Sequence, residues 1–515
     1  MTLRNLNYLK ATLAVSFSLL CLSAFAEENI LSYVEDKDDL FTEEFKLGYS
    51  QYKGIAEFTG TIPGNLDPTR PTTDGFGSSV KLNGDWAFVS APIARANGLI
   101  VSGAVYVFKK HNGNYSTTPK QIIDIPEISL HLGLLKIESQ DDWLFISGLG
   151  DNDFRGSLQI FKLNHNTDQW DLFQTLSSTT VPQLANLAPI APPALTNPTL
   201  TYTVEQGASF GVSFGVDVKE KLLVVGAQYQ TTDPSIINAG RAYAFKLENG
   251  SWVYKQTLSN PDGIAINDTF GAQVALRGKL ALVSNGSVFQ GPRQDKASVY
   301  VYTYKNGQWN FVQKVQGTQT NQTPVLFATF GLPPPSINIA DTFGSALALS
   351  KDWAVIGAAF ENLGSTIVHG AVYFYKVNTS SNNPLSFRQK IYSTDINPIA
   401  QNFSLTGAAV DGDTAVISNV SQTGPTAIPF QGAANVYLYK DGKWKLDGVL
   451  SDPQGQNTRL FGSGVDVQGK NIIVGAGFNG LNLLVVGTPP LSFLPPPNNL
   501  PPFPSFRNAV IYKRN

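Results

Sequence analysis

The sequence predicts an all-β fold, a seven-bladed β-propeller of four-stranded antiparallel blades, on three observations. One run of residues recurs: FGSSVKLNGDWAFVSAP from Phe76, FGAQVALRGKLALVSNG from Phe270, FGSALALSKDWAVIGAA from Phe343 and FGSGVDVQGKNIIVGAG from Phe461. Each copy is followed, after a loop of variable length, by an aromatic-rich strand: GAVYVFKK from Gly103, ASVYVYTYK from Ala297, GAVYFYK from Gly370 and NAVIYK from Asn508. Beyond the N-terminal region no stretch keeps a 3.6-residue apolar period, so almost no helix is expected. A repeat of about 60 residues sets the architecture before any local reading does.

Each unit reads as four short strands. In the first unit the first strand is Ser79–Leu82, the turn is Asn83-Gly84-Asp85, the second strand is Trp86–Ser90 and the third is Ala104–Lys109. A second tight turn, such as Lys305-Asn306-Gly307-Gln308, leads to a fourth strand such as Trp309–Val315. Val, Ile, Tyr, Phe and Trp fill the runs, and Asn-Gly or Asp-Gly sits between them, which is the pattern of hairpins.

Weaker copies fill the gaps. LGLLKIESQDDWLFISG starts at Leu132, and FSLTGAAVDGDTAVISN starts at Phe403 without the Gly. FGVSFGVDVKEKLLVVGA starts at Phe210 in an ambiguous register, because alignment on Val218 moves the Phe-Gly pair by two residues. The units therefore begin near 76, 132, 210, 270, 343, 403 and 461. Seven radial sheets make a propeller, and a linear stack of sheets is the alternative. The last unit stops at Asn515 after its third strand, while Tyr49–Thr59 (YSQYKGIAEFT) resembles a fourth strand such as Trp252–Leu258. The N-terminal strand is therefore expected to complete the last blade and cover its open edge.

The Phe-Gly pair and the endings Ser90-Ala91-Pro92, Gly226-Ala227 and Gly357-Ala358 resemble the FG-GAP repeat. That repeat builds the seven-bladed propeller of integrin α subunits and occurs in many secreted bacterial proteins. The resemblance covers nearly all of residues 49–515 and implies the fold more than the function. The family often binds calcium through Asp-x-Asp-x-Asp-Gly-x-x-Asp between the first two strands. Here those turns are NGD (83–85), SQDD (139–142), KEK (219–221), RGK (277–279), SKD (350–352), DGD (411–413) and QGK (468–470). None is long enough to wrap six oxygens around an ion, so no calcium and no other cofactor is expected. Asp151 and Asp153, with Gly156, form the one weak metal candidate, and an ordinary polar turn is the simpler reading.

The first 26 residues read as a secretory signal peptide. Arg4 and Lys10 give a positive start, Ala11–Leu22 is largely apolar, and Ala24-Phe25-Ala26 is an A-x-A cleavage site. The expected destination is secretion: periplasmic, extracellular or cell-surface. The single Cys, Cys21, lies in this segment, which leaves no disulfide or thiol chemistry for the remainder. Residues 27–48 are an acidic lead-in, with eight carboxylates against two lysines over Glu27–Lys46. The net charge of the whole chain is −2, which gives no reason to expect nucleic acid or an anionic membrane as a partner.

First-to-second and third-to-fourth turns are tight and share one face of the disc. All long insertions fall on the other face: Val181–Gln206, Gln316–Ala340, Ser421–Gln431 and Phe478–Arg507. LAPIAPPALTNP (187–198), LFATFGLPPPSI (326–337) and GTPPLSFLPPPNNLPPFPSF (487–506) are Pro-rich, apolar and uncharged. Disordered linkers are normally polar. Either these segments cap the propeller, or they form a semi-rigid apolar rim for a protein or glycan ligand. Phe327, Phe330, Phe493, Phe503 and Phe506 are the candidate binding residues.

Catalytic signatures are sparse. His111, His131, His165 and His369 are scattered without metal-ligand spacing, and no Gly-x-Ser-x-Gly elbow or phosphate loop occurs. No pair of carboxylates repeats at a position expected to line the centre. Trp86, Trp143 and Trp353 open second strands and Trp170, Trp252, Trp309 and Trp444 open fourth strands, which points to packing between blades before sugar stacking. The expected function is a secreted, non-enzymatic binding protein of adhesion type, using the long-loop face. A polysaccharide lyase or glycosidase with a site in the central funnel is the alternative, and paired carboxylates converging there would favour it. A structural component of an extracellular assembly is the third reading.

Overall fold

A computed structural model describes residues 51–59, 75–92, 94, 102–125, 132–133, 136–148, 156–177, 180–181, 209–231, 236, 238–266, 268–285, 297–318, 323–325, 337–339, 342–359, 361, 370–393, 407–420, 432–453, 461–477 and 508–515. Strands dominate them, and no α-helix occurs among them. Seven blades are present, numbered here by unit. Blade 3 runs Phe210–Asp217, Leu222–Ala227, Arg241–Glu248 and Ser251–Leu258, each strand antiparallel to the next. Blade 4 repeats this with Phe270–Arg277, Leu280–Asn285, Ser298–Lys305 and Gln308–Gln316. Blade 1 departs in one respect: its outer strand is split into Asn114–Tyr115 and Gln121–Asp124, both paired to Ala104–His111.

The last blade closes as the sequence predicts. Tyr52–Thr59 pairs antiparallel with Asn508–Arg514, outside Asn471–Gly475 and Gly464–Gln468. The register runs from Tyr52 opposite Arg514 to Thr59 opposite Asn508, so the first and last described strands share one sheet.

Buried apolar side chains gather into seven clusters, and each joins two neighbouring blades. The core of this molecule thus lies between blades. The repeated Phe-Gly explains how the seams are made. Phe76, Phe270 and Phe343 are fully buried and pack against the third-strand tyrosines Tyr106, Tyr300 and Tyr373 of their own blades. The Gly that follows presses on the preceding blade. Gly271 has φ +92, and a Cβ there would lie 2.4 Å from the Arg241 carbonyl oxygen. Only glycine accepts both that angle and that contact.

The structure also resolves the register of the third unit. Phe210 pairs with Ala227 as Phe270 pairs with Asn285 and Phe343 with Ala358, so Phe210-Gly211 is the repeated pair. The linker between blades 4 and 5 contains a short hairpin, Thr323–Val325 with Ile337–Ile339, which the sequence reading treats as loop.

A bulge interrupts the outer strands of blades 2 to 7, for example between Leu172 and Gln174. It has a specific use. Trp170 and Gln174 are four residues apart and would point to one side of a regular strand. The extra residue sends them to opposite sides. Trp170 packs on Trp86 and Phe88 of the preceding blade, while Gln174 reaches the following one.

Candidate functional site

Two sets of polar bonds tie neighbouring blades together. On the outer strands, Gln174 Nε2 donates to the Trp252 carbonyl at 3.0 Å and its Oε1 accepts from the Trp252 amide at 2.9 Å. Gln121 clasps Trp170 in the same way, Gln256 clasps Trp309, Gln313 clasps Leu385 and Gln389 clasps Trp444. The tryptophans therefore serve packing between blades, as read from their spacing. The glutamines went unremarked in the sequence, although Trp-x-x-x-Gln recurs from Trp170, Trp252 and Trp309.

The second set lies at the ends of the first strands. Gly278 N donates to Asp217 Oδ2 at 2.7 Å, Gly469 N to Asp411 Oδ2 at 2.7 Å and Gly84 N to Gln468 Oε1 at 2.9 Å. Each bond fixes the neighbouring tight turn. Asp411, the first acid of the DGD turn, is used in this way. Among the described residues, no group of three or more His, Cys, Asp or Glu is placed to hold a metal ion.

At the centre, the first strands surround a channel of about 1730 Å³. Its wall is asymmetric. At one level blades 1, 2 and 7 present Lys81, Glu138 and Asp466. Blades 3 to 6 present only Gly215, Ala275, Ala348 and Ala409 there. Lys81 Nζ lies 3.1 Å from Glu138 Oε2 and 3.1 Å from Asp466 Oδ1, bridging three blades. Burial alone would lower the Lys81 pKa, but the Asp466 and Glu138 carboxylates outweigh it and raise it above the ordinary lysine range. Asp466 also accepts the Leu82 amide at 2.8 Å. This convergence corrects the expectation that no carboxylate pair lines the centre. The two acids occupy equivalent positions of units 2 and 7, while unit 1 has a lysine there, which masks the pattern in sequence.

Lys136, nearby in blade 2, reaches past blade 3 to blade 4. Its Nζ donates to the Val274 carbonyl at 3.0 Å, passes 5.6 Å from the Phe214 ring and stands 3.9 Å from Glu138 Oε1. Burial lowers its pKa against the opposing pull of Glu138.

On the long-loop side, acids hold the bases of the loops. Glu361, 1% exposed, accepts from Tyr373 OH at 2.5 Å, Lys390 Nζ at 2.8 Å and Tyr392 OH at 3.2 Å. Asp262 accepts from Tyr300 OH at 2.8 Å and Lys314 Nζ at 2.6 Å, and Tyr300 and Lys314 stand at the blade 4 positions equivalent to Tyr373 and Lys390. The candidate residues Phe327, Phe330, Phe493, Phe503 and Phe506 lie outside the described residues, as do Asp151 and Asp153. So do residues 1–50, His131 and His369. His111 is an exposed strand end, and exposed His165 lies 2.8 Å from Asp142.

The FG-GAP repeat family model matches residues 71–108, the first Phe-Gly unit into its third strand. The chain carries this repeat on a seven-bladed propeller, consistent with the integrin α type read from the sequence. No curated protein matches the chain. Two similar solved structures are crystal structures of proteins provisionally named 6-phosphogluconolactonase. The one from Bacteroides fragilis is 9% identical, with a TM-score of 0.42, over 73% of this chain and 84% of that one. The one from Bacteroides uniformis is 10% identical, with a TM-score of 0.42, over 72% of this chain and 83% of that one. At that distance neither says what this chain does. Among the described residues, no helix is long and apolar enough to cross a membrane.

Proposed function

We propose that this chain is a secreted, non-enzymatic binding protein that recognises a protein or glycan of adhesion type through the long-loop face of its propeller. One observation carries the reading. The tight-turn face is spent on bonds between blades, such as Gly278 to Asp217, whereas the chain leaves the repeat for its long Pro-rich insertions on the opposite face. Acid-centred contacts at Glu361 and Asp262 fix the bases of described loops on that face. Binding of the mature protein to glycan arrays and to cell surfaces tests this. Saturable binding that disappears when residues 487–506 are deleted supports it, and unchanged binding after that deletion removes the loop from the mechanism.

A polysaccharide-active enzyme is the second reading, because Glu138 and Asp466 both face the channel. Both are held by Lys81, which suits a structural link as well as an acid–base pair. Release of new reducing or unsaturated ends from a polysaccharide panel, lost in Glu138→Gln, would support the enzyme. No turnover on that panel would count against it.

A further inference from the structure

We propose that the central channel is a second ligand site, taking a small neutral polyhydroxylated molecule of saccharide type held by Lys136, Glu138 and Gln273. The proposal rests on neither reading above.

The channel holds both engaged and unengaged polar groups. Lys81 is engaged, with a carboxylate on either side. Lys136 is not fully used: an ammonium has three protons, and among the described residues its one hydrogen bond goes to the Val274 carbonyl. Glu138 Oε1 stands 3.9 Å from it, beyond hydrogen-bond length, while the other carboxylate oxygen holds Lys81. Gln273 adjoins Val274 on blade 4, is half-buried, and its side-chain amide has no partner among the described residues. Lys136 bonds to the residue next to Gln273, and Lys136, Glu138 and Gln273 all line the channel.

Shape and charge select the ligand class. Gly215, Ala275, Ala348 and Ala409 keep the wall of blades 3 to 6 low and leave open space beside these groups. The volume of about 1730 Å³ exceeds that of an ordinary ligand pocket, roughly 300–1,000 Å³, so a disaccharide fits. Seven basic and seven acidic side chains line the channel, Arg277 among them, and sum to no net charge, which gives no preference for an ion. Interleaved donors and acceptors match hydroxyl groups, each of which both donates and accepts. The lining continues to Asp141, Lys219 and Asn306 in the tight turns, so the ligand enters from the face opposite the long loops.

Saturation-transfer NMR of the mature protein with glucose, galactose, maltose, cellobiose and lactose tests this. At least one sugar is expected to bind saturably, with affinity reduced tenfold or more in both Lys136→Met and Gln273→Ala. Gln273→Ala removes a side chain with no hydrogen-bond partner among the described residues, so its thermal melt should match wild type and keep the test independent of folding. Deletion of residues 487–506 should leave this binding unchanged, which separates the channel from the long-loop face. Binding of none of the five sugars overturns the proposal. So does binding that survives both substitutions, or binding of citrate or glycine betaine in place of sugars.

Discussion

Gln174 and Trp252 are joined side chain to backbone in both directions, at 3.0 and 2.9 Å, across the seam between blades 2 and 3. A side-chain amide is the natural group for this. It sets an N–H donor beside a carbonyl acceptor at the spacing of a peptide, so the clasp imitates a strand-to-strand bond between blades whose strands do not pair. Gln174→Ala is expected to destabilise the protein by about 1–3 kcal/mol, because the Trp252 amide and carbonyl both lose their partner. Gln174→Glu should also destabilise, since a carboxylate can accept the amide but cannot donate to the carbonyl. Urea unfolding of the two variants checks the order: equal stability to wild type in either would discard the clasp as a stabilising element.

Gly271 and Gly84 both have positive φ, at +92 and +59, but their surroundings differ. A Cβ at Gly271 meets backbone at 2.4 Å, whereas at Gly84 nothing lies within 4 Å. Gly84→Ala should therefore cost only the left-handed strain, about 1–2 kcal/mol. Gly271→Ala should prevent the seam from closing and abolish soluble expression. Comparable yields and melting temperatures for the two variants would contradict the contact.

Lys81→Met leaves Glu138 and Asp466 facing each other without their shared cation. The cost is expected near 3 kcal/mol at neutral pH, the low end for breaking a buried pair, since the groups are 10–23% exposed. The pH dependence has a definite sign. Burial already raises the Asp466 pKa in the folded protein, and without Lys81 it rises further, while Glu138 loses its strongest cation and keeps only Lys136 and Arg277. The folded variant then binds more protons than the unfolded chain, so its stability falls as pH rises. Unfolding at pH 5 and pH 7.5 measures this: the deficit relative to wild type should be smaller at pH 5, and a larger deficit there would reject the account.

Removal of Tyr52–Thr59 strips the outer strand from blade 7 and exposes the edge of Asn508–Arg514. The truncated protein should aggregate or fail to fold, since Phe58 and Tyr52 also leave the clusters on either side of the blade. A synthetic peptide of residues 49–60 added during refolding should restore soluble protein. A truncated protein with wild-type melting behaviour would refute the closure.

The repeat made much of this fold readable. Phe76, Phe270, Phe343 and Phe461 announce the units, and the orphan strand at Tyr49–Thr59 announces the closure, because a unit short of one strand needs an outside partner. What escaped was everything that depends on which neighbour a side chain meets. Gln174 is an ordinary polar strand residue in sequence; only the bulge after Leu172 turns it toward the next blade. Lys81, Glu138 and Asp466 stand up to 385 residues apart and have mixed signs, so no local window shows them converging. The aromatic candidates Phe327, Phe330, Phe493, Phe503 and Phe506 sit in insertions with no repeat to place them.

The bulges of the outer strands have a consequence for the behaviour of the protein in a crowded solution. The rim carries exposed Leu172, Phe311, Phe387 and Leu446 on edge strands, a combination that invites one molecule to zip onto another. A kink at a constant depth in blades 2 to 7 breaks the straight row of free amides and carbonyls that such zipping requires. The same irregularity that turns the clasp toward the next blade thus keeps the circumference from templating aggregates, so a ring with greasy edges can remain dispersed.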